Sequence, residues 1–221
     1  MKFSIFTIVH NELERVKNFS KWARRYADQL ILIDDFSDDG LRDVIEDLDF
    51  DKMYFSPENY GYCEKHQQRA KEMCDGDWIF FFDADEFIPE HITRIMFEEA
   101  IAKSNGADAI GLWMTDYLNE EIHIGGQQCF KYRLFKNTDY CYFPAQLHSE
   151  LSGYKKNIQC KQLEFYHWRY DNDIQEGSER YKRICIKEIK EGSKRAIQMY
   201  WDLKRHYNWP YNEIEDLIGD K

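Results

Sequence analysis

The chain has 221 residues, 43% of them hydrophobic and 16% aromatic, with a formal net charge of −11. That length supports one sizeable α/β domain with a real core, and the acidic balance argues against a nucleic-acid binder, which needs a basic footprint. No apolar run approaches the roughly 20 residues of a membrane-spanning helix.

Met1-Lys2-Phe3-Ser4-Ile5 leads straight into a strand pattern without a signal-peptide cleavage site, so a cytoplasmic protein is expected. Phe3 to Val9 is apolar and β-rich. A helix follows, with Leu13, Val16, Phe19 and Ala23 at helical spacing; Asn11 either caps it, with Glu14 completing a capping box, or meets a ligand. Leu30 to Ile33 is a second buried strand, ending in Asp34-Asp35. A short helix around Leu41 to Leu48 and an edge strand Met53 to Phe55 come next. Gly61 to Cys74 reads as a third helix that delivers the chain to a strand from Trp78 to Phe82. Strand–helix alternation with short connections implies a parallel, doubly wound sheet.

After Pro89 a helix runs to about Lys103, and the rhythm then changes. Ala109 to Tyr117 and Gln128 to Phe135 read as antiparallel strands around a Gly125-Gly126 turn. From about Asp173 to His206 the pattern is helical and amphipathic. Its apolar stripe (Tyr181, Ile184, Ile189, Ile197, Tyr200, Leu203) is expected to pack on the sheet, the other reading being a helix lying on a membrane surface. The six cysteines (Cys63, Cys74, Cys129, Cys141, Cys160, Cys185) contain no Cys-x-x-Cys pair, which predicts reduced, packed thiols. Residues 1–154 carry 16 Lys+Arg against 29 Asp+Glu, whereas residues 155–205 carry 13 against 8. An acidic first part that binds an anionic ligand needs a cation as a bridge.

The most informative stretch is Phe80-Phe81-Phe82-Asp83-Ala84-Asp85-Glu86. Ligand sites in open α/β sheets lie beyond the carboxyl ends of the strands, and two carboxylates there can hold a hard divalent ion, which in turn holds a diphosphate. Three more stations reach the same edge: His10-Asn11-Glu12, Asp34-Asp35, and Asn59-Tyr60-Gly61, where a glycine allows close backbone approach.

In this order and spacing, Ile8-Val9-His10-Asn11-Glu12, Ile33-Asp34-Asp35-Phe36-Ser37-Asp38, Asn59-Tyr60-Gly61 and Gly76-Asp77-Trp78 with Asp83-Ala84-Asp85-Glu86 resemble the family 2 glycosyltransferases. Further on, Arg133-Leu134-Phe135-Lys136, Leu147-His148-Ser149-Glu150 and Tyr166-His167-Trp168 look like the subgroup of lipopolysaccharide-core and related β-glycosyltransferases, which serve polysaccharide biosynthesis. The resemblance implies a GT-A, Rossmann-like fold: a mostly parallel sheet flanked by helices, a small antiparallel portion and C-terminal helices. One domain over residues 1–221 is expected, with a nucleotide-sugar-binding part to 105, an acceptor-side part over 106–170 and a helical extension over 171–221.

It also implies roles. Ile8, His10, Glu12, Asp35, Gly61, Gln67, Asp83 and Ala84 would contact the nucleotide sugar, a UDP-sugar first among donors. Asp85 and Asp83, with His167, would hold Mn²⁺ or Mg²⁺. Glu150 would be the general base that activates the hydroxyl of a saccharide or glycolipid acceptor, with His148 as orienter or substitute. Two departures stand out: Gln67-Gln68 replaces the Arg-Asn of many relatives, and Ser149 splits the His-Glu pair. The competing readings are a phosphatase or phosphotransferase of the haloacid dehalogenase type and a non-catalytic nucleotide-binding protein on the same fold. The inner face of the membrane is the expected location when the acceptor is lipid-linked.

Overall fold

The computed structural model describes residues 1–119, 121–122, 128–207, 214 and 218, and the expected Gly125-Gly126 turn lies outside them. β1 (Phe3–Val9), α1 (Leu13–Ala23), β2 (Gln29–Asp34), α2 (Leu41–Val44), β3 (Lys52–Phe55), α3 (Glu64–Met73) and β4 (Trp78–Phe81) follow one another as the sequence predicts. β1, β2 and β4 are buried along their whole length, as expected of strands covered on both faces. β1 pairs in parallel with β2 and β4, and β2 with β3.

Alternation along β4 divides its side chains between two cores. Phe80 and Phe82 face Phe3, Phe19 and Phe97, while Ile79 and Phe81 face Phe6, Ile8 and Phe143. Phe6 and Phe81 stack at 4.9 Å. Because the apolar runs of β1, β2 and β4 are consumed in these cores, the first polar residues after them emerge together at one edge.

After β4 come β5 (Glu86–Phe87), α4 (Arg94–Lys103), β6 (Ala109–Leu118), β7 (Glu121–Ile122), β8 (Gln128–Lys136), β9 (Asn157–Arg169), α5 (Asp171–Lys190) and α6 (Lys194–Tyr207). The sheet runs β3-β2-β1-β4-β8-β6-β9-β5, with β7 paired to β6. β8 is antiparallel to both β4 and β6. No helix among the described residues is long and apolar enough to cross a membrane. The six cysteines are free thiols.

Four expectations change. Asn11 does not cap α1: it sits in the left-handed region (φ 57°), and its Oδ1 accepts from the Asp38 amide at 2.8 Å. No side chain of the preceding turn caps the helix; Asp39 Oδ2 instead accepts from the Leu13 amide at 2.8 Å. α3 begins at Glu64 rather than Gly61, because Gly61 is itself left-handed (φ +83°). Thirteen-residue β9, parallel to β6, was not expected as a strand. The apolar stripe of α5 and α6 packs with Tyr62 and Leu147 in a cluster of its own rather than on the sheet.

Candidate functional site

The chain ends of β1, β2 and β4 carry the predicted residues to one edge, where they form two groups. In the first, His10 Nδ1 lies 2.9 Å from the Asp35 carbonyl and Nε2 lies 3.1 Å from the Asn59 amide. With Asn59 donating to Nε2, the ring proton sits on Nδ1 and goes to that carbonyl. The Asp35 carboxylate is buried and fully engaged: it accepts from the amides of Tyr60 and Gly61 at 3.1 and 3.2 Å and meets His66 Nε2 at 2.8 Å. Asp35 therefore builds the Asn59-Tyr60-Gly61 turn. Ile8 is buried in the core beneath it. Gln67 is also buried, and its Oε1 has no hydrogen-bond partner among the described residues.

The second group surrounds the Asp83-Ala84-Asp85 turn. Ala84 is buried against Val9, Val16 and Leu41, so it faces the packing between the turn and α1. Arg133, from β8, donates to Asp83 Oδ2 at 2.7 Å and to Glu86 Oε1 at 2.5 Å, with its guanidinium 4.5 Å above the Phe81 ring. Glu86 is only 2% exposed, and its other oxygen accepts from the Asp83 amide at 3.0 Å. Burial outweighs the Arg133 charge and pushes the Glu86 carboxyl up to about 7. Glu12 at the entrance of α1 is raised to about 7 as well, first by burial and then by the charge of Asp85, although Arg15 Nη1 lies 3.2 Å from it.

His167 stands between two carboxylates. Its Nε2 is 3.3 Å from Asp85 and its Nδ1 is 3.0 Å from Asp116, which also pairs with Arg169. Burial opposes the imidazolium, yet the hydrogen bonds to Asp116 and Asp85 raise it to about 10. Burial likewise opposes the Asp85 charge, and His167 outweighs it, holding that carboxyl below its ordinary value. With both nitrogens donating, His167 offers no lone pair to a metal in this state; ligation requires loss of the Nε2 proton as a cation arrives.

The carboxylates at the turn are the ligand type a hard divalent cation takes, with Asp83 paired to Arg133 and Asp85 to His167. Asp83 and Asp85 present carboxylate oxygens, and no cluster of three or more metal-ligating side chains forms among the described residues. Mg²⁺ sites are commonly of this kind, one or two carboxylates completed by water and substrate phosphate.

The residues expected on the acceptor side, His148 and Glu150, lie on the loop 145–150. Glu150 has a 71% exposed side chain, 3.8 Å from Lys131 Nζ. His148 is stacked on Tyr181 at 4.7 Å. Burial, with help from Arg195 and Lys131, lowers its imidazole to about 4, so it is neutral near pH 7. Its amide donates to the buried Glu64 at 2.8 Å.

Lys131 and Arg133 are two residues apart on β8, in the stretch where its pairing with β6 shifts register. Lys131 reaches Glu150 and Arg133 reaches Asp83, so this strand spans from the loop 145–150 to the aspartate turn. Sequence reasoning assigned no role to Arg133, Glu64, His66 or Asp116. Of these only Arg133 left a signal, as the first residue of the Arg133-Leu134-Phe135-Lys136 motif.

Residues 4–154 match the family described as Glycosyl transferase family 2. No curated protein sequence matches the chain. Among solved structures, S. aureus TarS 1-349 is similar at 14% identity and a TM-score of 0.55, over 84% of this chain and 65% of that one. Its complex with UDP gives 17% and 0.58, over 84% and 65%, and its complex with UDP-GlcNAc 16% and 0.59, over 84% and 66%. The chain thus spans just under two thirds of those TarS chains, and at such identities the likeness establishes the GT-A fold.

Proposed function

Because the chain belongs to glycosyl transferase family 2, we propose that it moves a hexosyl unit from a nucleoside-diphosphate sugar to a hydroxyl of a saccharide or glycolipid, with inversion at the anomeric carbon. The observation that carries this reading is the strand β8, whose Lys131 and Arg133 link exposed Glu150 to Asp83. A base on one side of a donor anchor is what an in-line displacement requires. UDP and UDP-GlcNAc bound to the TarS relatives support a UDP-sugar as donor. The motifs around Arg133, His148 and His167 support the lipopolysaccharide-core subgroup and a role in polysaccharide biosynthesis. The enzyme then works in the cytoplasm, at the inner membrane face when its acceptor is a glycolipid.

In this reading His10 and the Asn59-Tyr60-Gly61 backbone, fixed by Asp35, receive the nucleoside. The unpartnered Oε1 of Gln67 accepts from a donor hydroxyl. Asp85 and Asp83 would hold Mn²⁺ or Mg²⁺, with His167 joining once it loses its proton. Such a cation would neutralise charge that develops on the departing nucleoside diphosphate. Arg133 keeps Asp83 oriented toward that charge. Glu150 takes the proton of the acceptor hydroxyl while the new C–O bond forms and the bond to the diphosphate oxygen breaks. The phosphatase alternative finds no support: Asp83, which would be its nucleophile, is paired with Arg133, and the family is different.

Glu150→Gln tests the assignment and separates an enzyme from an idle nucleotide-binding protein. We expect kcat to fall about 10²- to 10⁴-fold while UDP-sugar affinity, measured by calorimetry, stays unchanged. Full activity in this variant would move the base to His148 or elsewhere.

A further inference from the structure

We propose that the α5–α6 hairpin is a clamp on the Ala145–Glu150 loop, with Arg195 and Tyr181 as positioning residues for the general base. The inference rests on the proposed role of that loop. Ala145 (φ 55°) and His148 (φ 52°) both lie in the left-handed region, which non-glycine residues occupy only when their surroundings impose it. Within the loop, Gln146 and Ser149 bond one another: the Ser149 amide donates to the Gln146 carbonyl at 2.9 Å and the Gln146 amide to Ser149 Oγ at 3.3 Å.

The other restraints come from outside the loop. Arg195 on α6 donates through Nε to the Leu147 carbonyl at 3.4 Å and through Nη2 to the His148 carbonyl at 3.3 Å. One guanidinium thereby fixes two successive peptide planes just ahead of Glu150. The Tyr181 ring on α5 lies nearly flat on the His148 ring, with planes 25° apart. Leu147, 1% exposed, is buried among Ile184, Ala196, Met199 and Tyr200 of the hairpin. The hairpin is tied to the donor side in turn, since the Tyr62 hydroxyl donates to Glu188 at 2.8 Å. Its apolar stripe lies in the same cluster as Leu147 and Tyr62. A hairpin that only completed a core would have no need of a cation on the loop carbonyls.

Displacing a catalytic group by about 1 Å costs on the order of 100-fold in rate. The test compares wild type, Arg195→Ala, Arg195→Lys, Tyr181→Ala and Tyr181→Phe. Product nucleotide release is followed over a panel of UDP-, GDP-, CMP- and dTDP-sugars with octyl β-glucoside and octyl β-galactoside as acceptors. We expect both alanine variants to lose about 10- to 100-fold in kcat with donor KM and unfolding temperature little changed, and the Lys and Phe variants to recover most of it. Wild-type kcat in Arg195→Ala and Tyr181→Ala, or a loss that tracks the fraction unfolded and is not rescued, would overturn the clamp alone. A wild-type chain that neither binds nor turns over any of these donors would overturn the transferase reading and the clamp with it.

Discussion

Arg133→Ala is expected to destabilise the fold by about 3–5 kcal/mol, the usual result of removing one partner from a buried ion pair. The loss comes mainly from Glu86, which is 2% exposed and has Arg133 as its cation. Asp83, 36% exposed, is partly solvated and adds less. Lost contact between the guanidinium and the Phe81 face adds a smaller part.

The effect should depend on pH, and its sign follows from Glu86. The folded-state value of Glu86, about 7, lies above the ordinary 4.5. Its protonated form therefore supports the fold below about pH 4.5, and that support is lost as pH rises through about 7. Without Arg133 the folded-state value climbs further, so the variant keeps losing stability at pH values where the wild type has levelled off. Urea unfolding at about pH 6 and about pH 8.5 should show the larger deficit at the higher pH, and adding Glu86→Gln should recover much of it. A deficit under about 1 kcal/mol at the higher pH, within the range of exposed pairs, would mean that the pair is solvated and that Arg133 does not hold the turn.

Asp85→Asn is expected to lower transfer about 10²- to 10³-fold, the scale seen when a group stabilising developing charge is removed. The substitution keeps the shape of the turn but removes the charge that would bind the cation. His167 retains Asp116 as its partner at 3.0 Å, so the β9 side of the site stays in place. Initial rates over a Mn²⁺ titration should rise steeply for wild type and stay flat for the variant. Full wild-type turnover in excess EDTA, with Asp85→Asn equally active, would remove the metal from the account.

The nucleotide-binding part could be read from the sequence because its strands are continuous apolar runs ending in polar stations. Trp78 to Phe82 stopping at Asp83 is the clearest case. β9 escaped because the alternation of Ile158 and Cys160 with Asn157, Gln159 and Lys161 stops where its pairing with β6 shifts register between Leu112 and Trp113, so each half is too short a signal and no apolar run marks it. Asn11 fitted the pattern of a cap, but a left-handed backbone turned its side chain to the next loop, and Asp39 took its place. Asp35 was singled out correctly as a sheet-edge residue, yet its carboxylate is engaged by Tyr60, Gly61 and His66. Partners such as Arg133, Glu64 and Asp116 are contributed by elements distant in sequence, and local pattern carries no trace of such pairings.

The central claim, that this sheet edge anchors a nucleoside diphosphate through its aspartate turn, is tested most directly by thermal unfolding with UDP-GlcNAc, with and without Mn²⁺. A ligand at ~100 times its dissociation constant adds about 2.7 kcal/mol of apparent stability. The account predicts a rise in unfolding temperature that needs Mn²⁺ and disappears in Asp85→Asn. No rise with UDP-GlcNAc, or with GDP-, CMP- or dTDP-sugars in its place, would contradict it.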